Sequence, residues 1–250
     1  MSYNILHPEW SSYADNVPIK GRDTIVANMI KSYLPDVIGV QEACDEWQSS
    51  LNRLLVSTGY YKQACKKCND NNINITTIYY NPKTVKPVKE YALELEKNSA
   101  LRVIAVAVFE KIADGKRFVV ANAHPAPPSQ SELYNENFEE LTKHTTSELK
   151  KYTDIPFIIL GDFNSIEIMP KFSGFIRETG LKNTRKAAKK VINDYGTYSE
   201  IYADPPKSNF MSIDHILSNG NAPVEEFSVV IDHDVKNASD HLPIYADFLY

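Results

Sequence analysis

The chain has 250 residues, 43% of them hydrophobic, and a formal net charge of −5. That is enough apolar material for a substantial core, so one soluble globular domain over residues 1–250 is expected, as a monomer. No apolar stretch approaches the roughly 20 residues of a membrane span, no basic-then-apolar leader opens the chain, and the acidic balance argues against holding nucleic acid mainly by net charge.

Apolar runs bounded by turn residues and helical spacings alternate along the chain. A strand is predicted at Met1 to Leu6, then a helix whose face carries Ile25, Met29, Ile30, Tyr33 and Leu34. A strand at Asp36 to Gln41 precedes a second helical face of Trp47, Leu51, Leu54 and Leu55. Cys65 and Cys68 form CKKC in a polar stretch, with Cys44 apart. No second ligand pair stands at comparable spacing, so a local disulfide or two ordinary thiols is favoured over zinc. Strands follow at Ile75 to Tyr80, Arg102 to Phe109 and Phe118 to Ala123, and then PAPP at Pro125 to Pro128, read as a rigid surface loop. Phe138, Leu141, Thr145, Leu149 and Tyr152 make a third helical stripe, which stops before Pro156 and a strand at Phe157 to Leu160. The basic stretch KNTRKAAKK, Lys182 to Lys190, reads as a solvated helix face, with a phosphate-backbone contact as the alternative. Strands at Ser212 to Leu217, Phe227 to Ile231 and Ile244 to Leu249 complete the series. Such mixing predicts an α/β architecture of two packed sheets with helices outside.

Polar residues recur where these strands end. Asn4 lies in MSYNIL, Glu42 ends DVIGVQE, His124 ends FVVANAH, Asp162 and Asn164 follow FIIL, Asp214 lies in SIDHIL, and Asp240 and His241 precede LPIYADF. Any one of them has an ordinary reading as a turn residue after a strand. Together they gather carboxylates that are costly to bury unless paired or bound to a cation, so they point to a cation site or a proton relay. Oxygen donors without thiols favour Mg²⁺ or Mn²⁺ over zinc.

In order along the chain, SYNIL, DVIGVQE, NAH, GDFNS, SIDHIL and SDHLPI resemble the endonuclease/exonuclease/phosphatase superfamily of deoxyribonuclease I-like proteins. The resemblance implies a four-layer α-β-β-α sandwich and metal-dependent hydrolysis of phosphate esters, with one or two Mg²⁺ or Mn²⁺ ions. Carried over by position, it implies that Glu42 is the principal metal-binding acid, with Asn4 and Asp240 near the ion or the phosphate. His241 would be the base and Asp214 the acid that orients it. Asp162 would bind or polarise the nucleophile, Asn164 would hold a phosphate oxygen, His124 would stabilise the phosphorane or assist the leaving oxygen, and Arg102 would contact phosphate.

Elementary chemistry supports those roles. A phosphodiester's anionic oxygens repel a nucleophile, so a cation and Asn, His and Arg donors must neutralise the charge that accumulates. A water nucleophile needs an acceptor with a pKa near the working pH, which His paired with Asp supplies. His215 lies one residue off phase and is expected on the other side of its sheet. His7, His144 and His233 stand in no motif and are read as structural.

The sequence departs from the family pattern in two places. Ala123 and Pro125 flank His124 where Thr and Leu are usual, and Asn74 stands where deoxyribonuclease-like members carry an acid beside the His124 equivalent. Asn can orient an imidazole but cannot stabilise its cation as a carboxylate does. His124 is therefore expected to act as a hydrogen-bond donor more than as a strong acid.

A nuclease or small phosphodiesterase is the first expectation, with nucleic acid as one possible substrate. A lipid or sugar-phosphate phosphatase, or a sphingomyelinase-like hydrolase, is the second. A non-catalytic binding module would be marked by loss of Glu42, Asp162, Asp240 or His241, and all four are present. The first strand begins at Met1 itself, where the resemblance leads one to expect preceding apolar residues. A trimmed start or removed leader is thus as compatible as a cytoplasmic home, and the compartment stays open between secreted and cytoplasmic.

Overall fold

Along the strand that carries Asp162, Phe157 and Ile159 face one apolar core while Ile158 and Leu160 face another. A strand apolar on both faces has to be covered twice, and that requirement sets the architecture. The computed structural model describes residues 1–9, 17–64, 76–95 and 102–250. The first elements are β1 (Ser2–Asn4), α1 (Arg22–Tyr33), β2 (Val37–Gln41), α2 (Asp45–Leu51), β3 (Lys62–Ala64), β4 (Thr77–Tyr80), β5 (Val85–Glu94) and β6 (Val103–Lys111). Then come β7 (Arg117–Ala123), α3 (Ser131–Lys151), β8 (Phe157–Asp162), α4 (Pro170–Thr179), β9 (Lys182–Asn183), α5 (Thr184–Ala187) and β10 (Lys190–Val191). β11 (Asp214–Ser218), β12 (Val224–Val229) and β13 (Ile244–Phe248) close the series.

The strands form a seven-stranded sheet, β10-β12-β13-β1-β2-β4-β3, and a six-stranded sheet, β5-β6-β7-β8-β11-β9. Both are mixed: β1 runs parallel to β2 and antiparallel to β13, and β8 runs parallel to β7 and antiparallel to β11. Val26, Met29, Ile30 and Trp47 bring α1 and α2 into the core of the first sheet, and Phe138, Leu141, Phe172 and Phe175 bring α3 and α4 onto the outer face of the second. The result is the expected four-layer α-β-β-α sandwich. α4 is bounded by Pro170 at its start and by left-handed Gly180 at its end, the residues that each terminus favours.

The sheets meet closely at Gly39, where a Cβ would fall 2.1 Å from Leu160 Cδ1. Beside it a buried polar bridge crosses the interface. Asn122 Nδ2 donates to the carbonyls of Val40 (3.0 Å) and Thr77 (2.8 Å), and Gln41 Nε2 donates to Asn122 Oδ1 at 2.7 Å. Unpaired amides here would be costly, so the bridge admits one alignment of the sheets. Its members directly precede the strand ends that carry Glu42 and His124.

Each predicted strand has a counterpart, with ends shifted by a few residues. β5 was not foreseen, because VKPVKEYALE is charged and contains Pro. It forms an edge of its sheet with a register shift between Pro87 and Lys89, and Lys, Pro and a bulge are how edge strands avoid further pairing. The short strands β3, β9 and β10 also carry no sequence signal. Leu34 is not part of the buried stripe of α1: it is the left-handed residue that ends the helix and is 49% exposed.

PAPP is not wholly a surface loop. Pro125 and Ala126 are buried, and Ala126 N–H donates to Asn137 Oδ1 of α3 at 2.8 Å. Lys182 to Lys190 is not a continuous helix face but β9, the single turn α5, and the start of β10. Four of its five cations are matched locally: Lys186 with Glu167 (2.7 Å), Lys190 with Glu226 (3.0 Å), Lys189 with Glu225, and Arg185 with Asp194 (3.4 Å). Cys65, Cys68 and Asn74 lie outside the described residues. Among the described residues, no helix is long and apolar enough to cross a membrane.

Candidate active site

Strand ends from both sheets deliver the polar residues to one place. Asn4 ends β1 and Glu42 follows β2 in the first sheet, while His124 follows β7, Asp162 ends β8 and Asp214 begins β11 in the second. Asp162 and Asp214 stand directly opposite each other in the β8–β11 ladder. Asp240 and His241 approach on the segment before β13.

Asp162 Oδ2 is the centre. It accepts a hydrogen bond from Asn4 Nδ2 at 3.1 Å and lies 3.4 Å from His124 Nε2 and 3.7 Å from His241 Nε2. Its other oxygen accepts the Asn164 N–H at 2.7 Å. Asn4 Nδ2 also donates to Glu42 Oε1 at 3.0 Å, and its Oδ1 accepts the Leu6 N–H at 3.0 Å, which fixes the orientation of the amide. Asn4 thus bridges two carboxylates with its nitrogen. Glu42 Oε2 accepts the His7 N–H at 2.6 Å.

His241 Nδ1 lies 2.9 Å from Asp214 Oδ2, a buried imidazole–carboxylate pair. Burial alone would lower the His241 pKa, but the Asp214 carboxylate, with Asp162 and Asp240 behind it, raises it well above the ordinary imidazole value. Burial would raise Asp162, yet the charges of His241 and His124 outweigh it and hold this carboxyl well below its usual range. Burial raises Asp214 despite His241. Burial, opposed by His241 and reinforced by Glu42, pushes Asp240 up to about 6. Asp240 therefore sits where further positive charge would be stabilised. Among the described residues, the ligand atoms of Asp162, Asp214 and His241 lie within 4.8 Å of one another. The Asp214–His241 hydrogen bond accounts for that convergence; Glu42 Oε1 lies 3.9 Å from His124 Nε2, so among the described residues Glu42 and Asp240 are the site carboxylates outside hydrogen-bond reach of an imidazole.

The remaining predicted residues have definite places. Asn164 adopts a left-handed φ of 51°, and its Nδ2 donates to the Pro125 carbonyl at 3.0 Å, tying the GDFNS turn to the His124 loop. Arg102 Nη1 donates to the main-chain carbonyl of His124 at 3.0 Å. His124 Nδ1 is buried and, among the described residues, has no hydrogen-bond partner.

Sequence reading missed the supports. Thr197 Oγ1 accepts the N–H groups of Ile213 and Asp214, each at 3.1 Å, and Tyr198 packs edge-on against His241 with ring centroids 5.1 Å apart. Ser239 Oγ donates to the Asn4 carbonyl at 2.7 Å and accepts the His241 N–H at 3.1 Å. Ser239 stood inside the quoted SDHLPI, but Thr197 and Tyr198 lie in irregular chain with no motif. Glu42 is also left-handed, at φ 62°, a conformation that persists for a non-glycine residue only where its surroundings dictate it.

His215 faces away from the site, as its phase requires. Its Nε2 lies 2.8 Å from the Ser165 carbonyl and its ring 4.4 Å from that of Phe172. Burial lowers its pKa to about 4. Above pH 6.5 the ring is neutral folded or unfolded; between there and about 4 only the unfolded chain gains the proton, so stability falls as pH falls. At about 1.4 kcal/mol per pKa unit, this removes roughly 3 kcal/mol. Asp240 titrates in the same window with the opposite sign, since its folded pKa is raised. The effect is therefore read as the difference between wild type and His215→Phe in urea unfolding. That difference should narrow in the variant's favour from pH 6.5 to 4.5, and a constant difference would count against it.

A carboxylate- and histidine-lined site at the strand ends of an α-β-β-α sandwich defines a deoxyribonuclease I-like fold. The chain belongs to the Endonuclease/Exonuclease/phosphatase family, whose sequence profile matches residues 1–241. Membership places it among hydrolases that act on phosphate esters. It is similar in structure to a mannosyl-6-phosphatase of Bacteroides thetaiotaomicron, at 19% identity and a TM-score of 0.80 over 100% of this chain and 98% of that one. It is similar also to truncated Caenorhabditis elegans TDP2, at 17% identity and a TM-score of 0.71 over 100% and 96% of the two chains. The human Nocturnin catalytic domain aligns at 18% identity and a TM-score of 0.69 over 99% of this chain and 92% of that one. No curated protein matches the chain at the sequence level.

Proposed function

We propose that the protein hydrolyses a phosphodiester with an activated water, as a nuclease-type or small-substrate phosphodiesterase that depends on a divalent cation. The observation that carries this reading is the setting of Asp162 Oδ2, faced by Asn4, His124 and His241 within 3.1–3.7 Å at the meeting of the two sheets. A carboxylate held ionised there orients water, and the imidazoles and amide around it supply donors for phosphate oxygens.

The residues fit a hard cation: they offer oxygen donors, and Asp240 is raised to about 6 by burial and by the Glu42 carboxylate. Glu42 and Asp240 would hold Mg²⁺ or Mn²⁺, with Asn4 fixing Glu42. A bound cation would neutralise phosphate charge and, held beside the imidazole, would favour the neutral form of His241. His241, oriented by Asp214, takes the proton of the attacking water at Nε2. Asp162 orients that water, Asn164 contacts a phosphate oxygen, and His124 donates a hydrogen bond as charge moves to the leaving oxygen. Arg102 supports His124 through its carbonyl and adds positive charge on the phosphate side.

A sugar-phosphate or lipid phosphatase is the second reading, favoured by the fold similarity to the mannosyl-6-phosphatase. The local pairing of Lys186, Lys189 and Lys190 with glutamates also leaves that stretch a weaker match to a nucleic-acid backbone. The test is side-by-side hydrolysis of supercoiled plasmid, sphingomyelin, mannose 6-phosphate and a generic phosphodiester, with Mg²⁺ or chelator and with His241→Gln as control. Turnover that needs Mg²⁺ and His241 supports the reading, and the preferred substrate separates its two forms. Failure on every substrate, together with no Mg²⁺ or Mn²⁺ binding at millimolar concentration, would turn the reading towards a binding module.

A further inference from the structure

Arg22 is 4% exposed, and a buried guanidinium ordinarily pairs with a carboxylate. This one gives its donors to main-chain carbonyls instead. Nε donates to Pro18 O (2.9 Å), Nη1 to Ile5 O (2.8 Å) and Ala238 O (2.7 Å), and Nη2 to Leu6 O (3.1 Å) and Val17 O (2.8 Å). A guanidinium has five N–H groups, so all are used. Its flat face lies over the Trp47 ring, 5.0 Å from the centroid, and Trp47 Nε1 donates to the same Leu6 carbonyl at 3.1 Å.

The carbonyls it joins belong to the two halves of the candidate site. Ile5 and Leu6 form the turn after Asn4, and Leu6 is left-handed at φ 59°, a costly conformation for a γ-branched side chain that strong local restraint sustains. That turn aims the Leu6 N–H at Asn4 Oδ1 and the His7 N–H at Glu42 Oε2. Ala238 directly precedes Ser239, whose hydroxyl links the Asn4 carbonyl to the His241 N–H. One rigid fork thus spans the segment that orients Asn4 and Glu42 and the segment that carries Asp240 and His241.

We propose that Arg22 is a positioning residue for the phosphoesterase reaction, setting the Asn4–Glu42 half of the site against the Asp240–His241 half through the carbonyls of Ile5, Leu6 and Ala238. The catalytic part of this proposal rests on the proposed function; the positioning part does not. Lysine keeps the charge but not the planar five-donor fork, so Arg22→Lys separates the two. Trp47→Phe keeps an aromatic face and removes the second donor to Leu6 along with part of a buried ring.

The test combines amide hydrogen exchange with steady-state kinetics on the full chain. In Arg22→Lys the His7 and His241 amides should exchange at least about tenfold faster, with Val106 and Val119 of the other sheet unchanged. Turnover should fall at least about 30-fold with KM changed less than about threefold, because displaced catalytic groups cost turnover more than binding. Trp47→Phe should loosen the His7 amide and leave that of His241 unchanged. Leu141→Ala, in the core under α3, destabilises the protein without touching the fork and should reproduce neither pattern. Exchange that rises evenly along the chain in Arg22→Lys, or stays unchanged at both amides, overturns the proposal. If Arg22→Lys does not fold, an unchanged His7 amide in Trp47→Phe overturns it. A wild type inactive on every substrate and without Mg²⁺ or Mn²⁺ binding would refute the proposed function while leaving the exchange result decisive for Arg22.

Discussion

Asp162→Asn should lower kcat on the preferred phosphate ester by about a thousandfold or more, the scale of losing a central acid–base or electrostatic group. The substitution is nearly isosteric, so the loss would come from charge and hydrogen-bond direction. One amide oxygen can still accept the Asn164 N–H, now made to Asp162 at 2.7 Å. The amide nitrogen must then face Asn4 Nδ2, 3.1 Å from the present oxygen, and the Nε2 atoms of His124 and His241 at 3.4 and 3.7 Å. The Asn4 amide nitrogen, a donor, would then meet a donor. The negative charge that helps raise the His241 pKa would also vanish, so His241 should titrate lower in the variant. Kinetics together with imidazole NMR titration of both proteins check this. Unchanged turnover would remove Asp162 from the mechanism, and an unchanged His241 pKa would remove its electrostatic share.

Gly161→Ala should be among the most damaging single-methyl additions in the protein. Gly161 has φ 148°, which L side chains rarely adopt, and a Cβ there would lie 1.9 Å from the Ala123 carbonyl oxygen, a backbone atom that cannot swing aside. Backbone strain and overpacking together predict a loss of roughly 3–5 kcal/mol. For a chain of this length that lowers Tm by about 10 °C. Since Ala123 and Gly161 are register partners in the β7–β8 ladder, any relief moves His124 and Asp162 apart, and activity should fall further than stability. Gly174→Ala is the contrast. It lies in α4 and would meet only the end of the Arg177 side chain, at 3.8 Å, so it should stabilise by about 0.5–1 kcal/mol. Urea unfolding of the two variants checks both signs, and a mild Gly161→Ala would mean that the strands can separate there at little cost.

The difference between legible and illegible parts follows from where the information lies. Phe157 to Asp162 could be read because its apolar residues alternate between two cores and its polar residues follow directly. The Asp214–His241 pair could be inferred because each lies in a short motif that resembles the family. β5 was hidden because an edge strand has little apolar surface to reveal it. The supports of the site were hidden for another reason. Arg22, Thr197 and Ser239 act on main-chain atoms, several of them far away in sequence, and a carbonyl or an N–H looks the same whatever residue carries it. Pro125 and Ala126 misled because Pro suggests an exposed turn, whereas here their burial beside α3 lets the Pro125 carbonyl receive Asn164.

The Asn122 bridge between the sheets bears on the order of events in folding. Asn4 and Glu42 arrive on one sheet and Asp162 and Asp214 on the other, so neither sheet alone holds a working arrangement. Each sheet can acquire most of its backbone pairing before the amides of Asn122 and Gln41 find their partners across the interface. On dilution from denaturant, far-ultraviolet circular dichroism should therefore recover before enzymatic turnover does. Asn122→Ala should widen that lag, making returning activity a clock for sheet docking.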